Sequence, residues 1–112
     1  NMVAHPGAFL FDGILKIDHH TGQAQAHDFG EGRFGSESPM APYHDAQSED
    51  DGCVVSFVTD MKADRSECVV LDARDIARGP LARILLPHRI SSGTHSCWAE
   101  ASEIVSDWPG LG

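Results

Sequence analysis

Cys53-Val54-Val55-Ser56-Phe57-Val58-Thr59, Ser66-Glu67-Cys68-Val69-Val70-Leu71-Asp72 and Leu81-Ala82-Arg83-Ile84-Leu85-Leu86 follow one another with only turns and one loop between them. Each run is short and rich in β-branched or apolar residues, and each stops at a turn signal. The signals are Asp60 to Arg65, Ala73 to Pro80 with its Gly79-Pro80 pair, and Pro87. The three runs read as successive β-strands. They are apolar on both faces instead of alternating, which suits strands covered on each side by other sheets.

Upstream, Ser36 to Tyr43 is a fourth strand-like piece. Pro39 and Pro42 remove two ladder donors, so it belongs at an edge or in irregular pairing. His44 to Gly52 is polar and acidic and closes on an Asp51-Gly52 turn signal. Earlier still, Ala8 to Asp18 reads as a strand bent at Gly13, His19-His20-Thr21-Gly22 as a turn, and Gln23 to Phe29 as the return strand. Gly30-Glu31-Gly32-Arg33-Phe34-Gly35 is a glycine-rich connection. It lacks the Gly-Lys-Ser/Thr ending of a phosphate loop, and Glu31 would oppose an anion. Downstream, Thr94 to Glu100 reads as the start of one more strand. Glu100 to Trp108 has room for one or two helical turns before Pro109-Gly110 stops it.

The expected fold class is therefore all-β. Four antiparallel strands in succession, repeated radially, make a β-propeller blade. On that reading residues 36–86 are one full blade, 8–29 the outer hairpin of the blade before, 94–100 the inner strand of the next, and 101–112 a tail. A small β-sandwich uses the same short antiparallel strands and is the competing fold. One blade cannot bury both of its faces alone, so the expectation is that the 112 residues are the C-terminal portion of a longer propeller. The start at Asn1-Met2-Val3, without an initiator Met, points the same way.

Composition narrows the partners. A net charge of −9 with eight Lys and Arg repels phosphate backbones and anionic membrane surfaces, so nucleic acid is not an expected partner. Cys53, Cys68 and Cys97 show no zinc spacing and cannot all pair within the chain. A reducing, cytoplasmic setting is the default expectation, with peripheral membrane contact left to residues outside this sequence.

Seven histidines are present. His19, His20, His44 and His88 lie in turns or loops, and His5 and His27 have no fixed context. His95, in Gly93-Thr94-His95-Ser96-Cys97-Trp98, differs by position. If the blades are counted correctly, Glu37 and His95 open the inner strands of successive blades, 58 residues apart. Both then point to one end of the central axis. Neutral imidazole suits iron, copper or zinc there, and a ligating histidine gives its other N–H to a carboxylate, a task Glu37 suits. Ser92 near His95 has no nucleophile-elbow context. Cys97 would share a strand face with His95 but has no activating arrangement.

At these residues the chain resembles the C-terminal part of the carotenoid cleavage oxygenases, including lignostilbene-type dioxygenases. The phrases that carry the resemblance are Phe11-Asp12-Gly13-Ile14-Leu15-Lys16-Ile17-Asp18 with Thr21-Gly22, His27-Asp28-Phe29-Gly30 and Arg33-Phe34-Gly35-Ser36-Glu37 with Pro42. They continue with Glu49-Asp50-Asp51-Gly52, Ser56-Phe57-Val58, Asp64-Arg65-Ser66-Glu67 and Val70-Leu71-Asp72-Ala73. The last are Leu86-Pro87-His88-Arg89-Ile90 and Gly93-Thr94-His95 with Trp98. Each is soft alone; their order and spacing together make the match specific over residues 8–100.

The resemblance implies a seven-bladed propeller with Fe(II) on its axis, bound by four histidines whose rings are held in part by glutamates. It puts His95 on the last ligand and Glu37 on one of those glutamates, with the other ligands outside this sequence. It also implies O2-dependent cleavage of a conjugated C=C bond in a carotenoid, apocarotenoid or stilbene, giving two carbonyl products. Three departures stand out. Glu37-Ser38-Pro39 replaces Glu-Pro, Ser91 replaces a proline after Arg-Ile, and Thr94-His95-Ser96 replaces Phe-His-Gly. A non-catalytic propeller segment, with His95 and Glu37 structural, is the alternative reading.

Overall fold

The hairpin forms where the turn chemistry is strongest. Asp18 closes it, its Oδ1 accepting from the backbone N–H of His20 at 2.8 Å and of Thr21 at 3.0 Å, and Gly22 supplies the positive φ of 71°. The computed structural model describes residues 10–104. In it β1 (Gly13–Ile17) pairs antiparallel with β2 (Ala24–Asp28). Gly13 is the first residue of β1, and Phe11 just before it bridges separately to Gly35, so the chain turns between the two sheets where a bend was expected. Residues 8 and 9 of the expected strand lie outside the described residues.

The second sheet has five segments: β3 (Arg33–Gly35), β4 (Met40–Pro42), β5 (Gly52–Asp60), β6 (Arg65–Asp72) and β7 (Pro80–Leu85). β5, β6 and β7 form an antiparallel meander, and β3 and β4 both pair with the free edge of β5. The sheet is thus four strands wide, with a broken first strand. The three apolar runs form strands within two residues of the expected limits. At the β5–β6 turn, Asp60 Oδ1 accepts from Lys62 and Ala63 N–H, and Asp64 takes a φ of 51°. The loop from Ala73 to Pro80 contains one turn of 3₁₀ helix, Ile76–Arg78, capped by the Asp75 carboxylate.

The expected strand over Ser36–Tyr43 is corrected. Gly35 lies opposite Val58 and Met40 opposite Val54, so four residues, 36–39, face three, 55–57. The extra residue makes a β-bulge. Pro39, lacking an N–H, keeps its carbonyl in the ladder by accepting from Val55 N at 3.0 Å. Ser36 holds the other end of the bulge, its N–H donating to Phe57 O at 2.9 Å and its Oγ accepting from Phe57 N at 3.2 Å. The last three residues of the expected glycine-rich connection are strand.

The expected strand over Thr94–Glu100 does not form either. Among the described residues no strand lies beside it, and a lone extended segment has no ladder to join. A hydrogen-bonded turn begins at Glu100, where Glu103 N–H donates to Glu100 O at 2.9 Å; residues 105–112 of the expected helical stretch lie outside the described residues.

The core sits between the hairpin and one face of the sheet: Ile14 and Phe29 pack with Val58, Val69, Leu71 and Ile76, and Val54 lines the edge. Phe29 presses so closely on Gly35 that a Cβ there would stand 2.3 Å from Phe29 Cε2, which is why a glycine occupies the end of β3. The opposite face is apolar but open. Its ladder rows are Phe57, Cys68 and Ile84, and Val55, Val70 and Ala82. Phe57 is 43% and Ile84 53% exposed. No helix among the described residues is long and apolar enough to cross a membrane.

Candidate metal centre

The bulge brings Glu37 out of the regular ladder, and the chain after β7 is led back to it in steps. Ser66 takes the first two ties, accepting from Leu86 N at 2.9 Å through its carbonyl and from Ile90 N at 3.0 Å through its hydroxyl. Arg89 clamps the same end of the sheet by pairing with Asp64 across the β5–β6 turn. Gly93 then passes Ser36, where a Cβ would make ordinary contact at 3.7 Å.

His95 arrives beside Glu37. Its Nδ1 lies 3.0 Å from Glu37 Oε1, and Ser96 N–H donates to Glu37 Oε2 at 2.8 Å. Ser96 Oγ also donates to the Glu37 carbonyl at 3.3 Å. The Ser96 N–H, and after it the His95 ring, hold the Glu37 carboxyl below its ordinary value. An ionised carboxylate only accepts, so the shared proton sits on Nδ1, and in the neutral ring the lone pair is then on Nε2. The His95 side chain is 91% exposed, leaving that lone pair open to a metal.

This is the donor arrangement of a ligating imidazole whose orientation is set by a carboxylate behind it. A divalent metal that accepts neutral nitrogen, iron included, fits it. The fit extends to one donor, since no group of three or more His, Cys, Asp or Glu side chains gathers among the described residues.

The remaining sequence candidates separate from this site. His19, His20, His44 and His88 are exposed. His27 was expected to have no fixed context and is instead buried at 9% exposure, edge-on to Phe29 with ring centroids 5.7 Å apart. Cys97 is exposed and shares no strand face with His95, because no strand forms there. Ser36 and Ser96 were missed as members of the site. The only signal for Ser96 was its place next to His95, and for Ser36 its place next to Glu37.

Comparison with known proteins identifies the family. The family model described as RPE65, retinal pigment epithelial membrane protein, matches residues 1–100. Carotenoid 9,10(9',10')-cleavage dioxygenase 1 of Arabidopsis thaliana is 34% identical over 105 residues, covering 82% of this chain and 19% of that protein. Among solved structures, the lignostilbene dioxygenase of Pseudomonas brassicacearum is 37% identical with a TM-score of 0.73, covering 80% of this chain and 19% of its own. Cobalt-substituted ACO, an apocarotenoid oxygenase of Synechocystis, is 32% identical with a TM-score of 0.75, covering 80% and 19%. The chain spans about a fifth of the length of these relatives. The resemblance read from the sequence phrases is therefore established: the chain belongs to the RPE65 family of carotenoid cleavage oxygenases.

Proposed function

We propose that this chain is the C-terminal portion of a seven-bladed β-propeller, an Fe(II)-dependent dioxygenase acting on a conjugated C=C bond of a carotenoid, apocarotenoid or stilbene. The observation that carries the proposal is the 3.0 Å contact of His95 Nδ1 with Glu37 Oε1, which leaves Nε2 as the free donor. The family membership, and the names of relatives that cleave carotenoids and stilbenes, support the reaction class. In the whole protein residues 8–29 would be the outer hairpin of one blade, 36–86 a full blade, 94–100 the inner strand of the next, and 101–112 a tail. The open apolar face of the sheet would receive that next blade, which would also give residues 94–100 the ladder they lack.

His95 would hold the iron together with ligands from other blades. The chemistry iron supplies there is the activation of O2 toward an alkene, which no side chain of this chain can perform. In the overall reaction both oxygen atoms of O2 end in product: one C=C bond breaks and two C=O bonds form, with no external reductant. Glu37 would keep the His95 Nδ1–H as its hydrogen-bond donor and fix the plane of the ring, so that the Nε2 lone pair is aimed at the metal and made a stronger donor. The substrate partners are O2 and a small apolar conjugated molecule. A cytoplasmic location with peripheral membrane contact suits such a substrate.

The test is iron content and O2-dependent cleavage of a stilbene and an apocarotenoid by the complete protein and its His95→Ala variant. The variant is expected to lose stoichiometric iron and at least about 100-fold in cleavage rate. Retention of both would overturn the reading and leave His95 and Glu37 a structural pair.

A further inference from the structure

We propose that Ser96 is a positioning residue for the metal ligand, acting on His95 through both the carboxylate and the carbonyl of Glu37. The proposal rests on the reading of His95 as a ligand. A glutamate held at one oxygen can still turn about its last torsion, which has broad minima. Here the second oxygen is taken by Ser96 N–H at 2.8 Å while the first meets His95 Nδ1 at 3.0 Å. Adjacent residues of one segment thus grip both ends of one carboxylate, and its plane is fixed.

The hydroxyl adds a second hold, at the backbone. The Glu37 carbonyl accepts from Ser96 Oγ at 3.3 Å and from Ser36 Oγ at 2.9 Å. Ser36 Oγ in turn accepts from Phe57 N at 3.2 Å. A continuous path runs from β5 through Ser36 and Glu37 to Ser96 and the His95 ring. It matters because the segment has no strand of its own to hold it. Beyond the Ile90 tie to Ser66, the hydrogen bonds of His95 and Ser96 among the described residues converge on Glu37. The bulge presents the Glu37 carbonyl to this hydroxyl, where a regular ladder position would direct it along the sheet. Position 96 is also where the chain departs from the glycine of Phe-His-Gly, and glycine has no hydroxyl to offer.

The experiment uses the complete protein, stripped of iron and titrated with Co(II) against a chelator. Visible absorption reports ligand geometry, and kcat and KM are measured separately on the iron-loaded form. Ser96→Ala, which keeps the N–H and removes the hydroxyl, is expected to weaken Co(II) about three- to tenfold, the range one neutral hydrogen bond supports. It should also shift the Co(II) absorption bands and lower kcat with KM unchanged. Ser96→Thr restores all three. On a Glu37→Ala background, where the side-chain partner is gone and the clasp cannot orient the ring, Ser96→Ala should have little further effect on Co(II) affinity. Wild-type affinity and spectrum in Ser96→Ala would overturn the proposal, as would an undiminished effect on the Glu37→Ala background. Failure of the parent reading looks different: His95→Ala itself would then keep its Co(II).

Discussion

Glu37 and His95 meet although 58 residues separate them, a meeting expected from their spacing, taken as one blade with its loops, and from the family resemblance. Their serine neighbours were not legible, because a hydroxyl that bonds a carbonyl leaves no pattern in a sequence. His27 shows the same limit more sharply. Alternation alone did not say whether it faced solvent or Phe29. Burial first, then the Arg83 charge, lowers its pKa from the ordinary value, with Asp28 opposing. Among the described residues its Nε2 has no hydrogen-bond partner, so the neutral form is the one the fold accepts. The sign follows from linkage. Below about pH 6.5 the unfolded chain binds this proton before the folded one does, and stability rises with pH wherever the unfolded state holds more protons. The contribution is therefore complete above that pH and lost as pH falls toward the lower folded-state value. Urea midpoints taken at low protein concentration should drop from pH 7.5 to pH 5.5 more steeply in the native chain than in His27→Gln. Equal slopes in the two would remove His27 from the account.

At the scale of elements, the tightest approach of the hairpin's end to the sheet that a substitution can probe is Phe29 on Gly35. Gly35→Ala would place a Cβ 2.3 Å from Phe29 Cε2 and 2.8 Å from its Cζ, forcing the ring off the end of β3. Overpacking of this kind costs about 1–3 kcal/mol. Phe29→Leu on the Gly35→Ala background should recover part of that, so the pair is expected to couple in a double-mutant cycle; additive urea midpoints would show that the two do not meet. Strands β5 to β7 were legible because each is an apolar run bounded by turn residues. The bulge was half legible. Two prolines announced irregular pairing, but nothing in the residue types fixed where the extra residue would sit or that Glu37 would lie inside it. The strand expected over Thr94–Glu100 is absent from the described chain for a physical reason: extended conformation is completed by neighbours, and the described part of the chain provides none there.

At the scale of the whole molecule, the apolar character of both faces of β5 and β6 predicted cover on both sides, and the described residues supply cover on one. The hairpin fills the Val58, Val69 and Leu71 face, while the Phe57, Cys68 and Ile84 row stays open. The Cα radius of gyration, 15.3 Å, exceeds the roughly 13 Å of a compact domain this size. A sheet with an open apolar face buries it against whatever is at hand, and in a propeller that is the neighbouring blade. Among the described residues nothing further covers the row, which leaves it to other copies of the chain. The chain is therefore expected to self-associate as concentration rises and to bind a hydrophobic dye such as ANS. Serine at both Phe57 and Ile84 removes two large side chains from the open row without touching the buried cluster. Phe57→Ser with Ile84→Ser should thus shift sedimentation toward monomer and lower dye binding, with the far-UV spectrum unchanged. The same pair placed in the complete protein should have the opposite consequence. There the row is an interior contact, and two large-to-small changes on it would lower stability by several kcal/mol. A native chain that sediments as a monomer without binding dye, together with a complete protein indifferent to the double change, would show that no blade packs on this face.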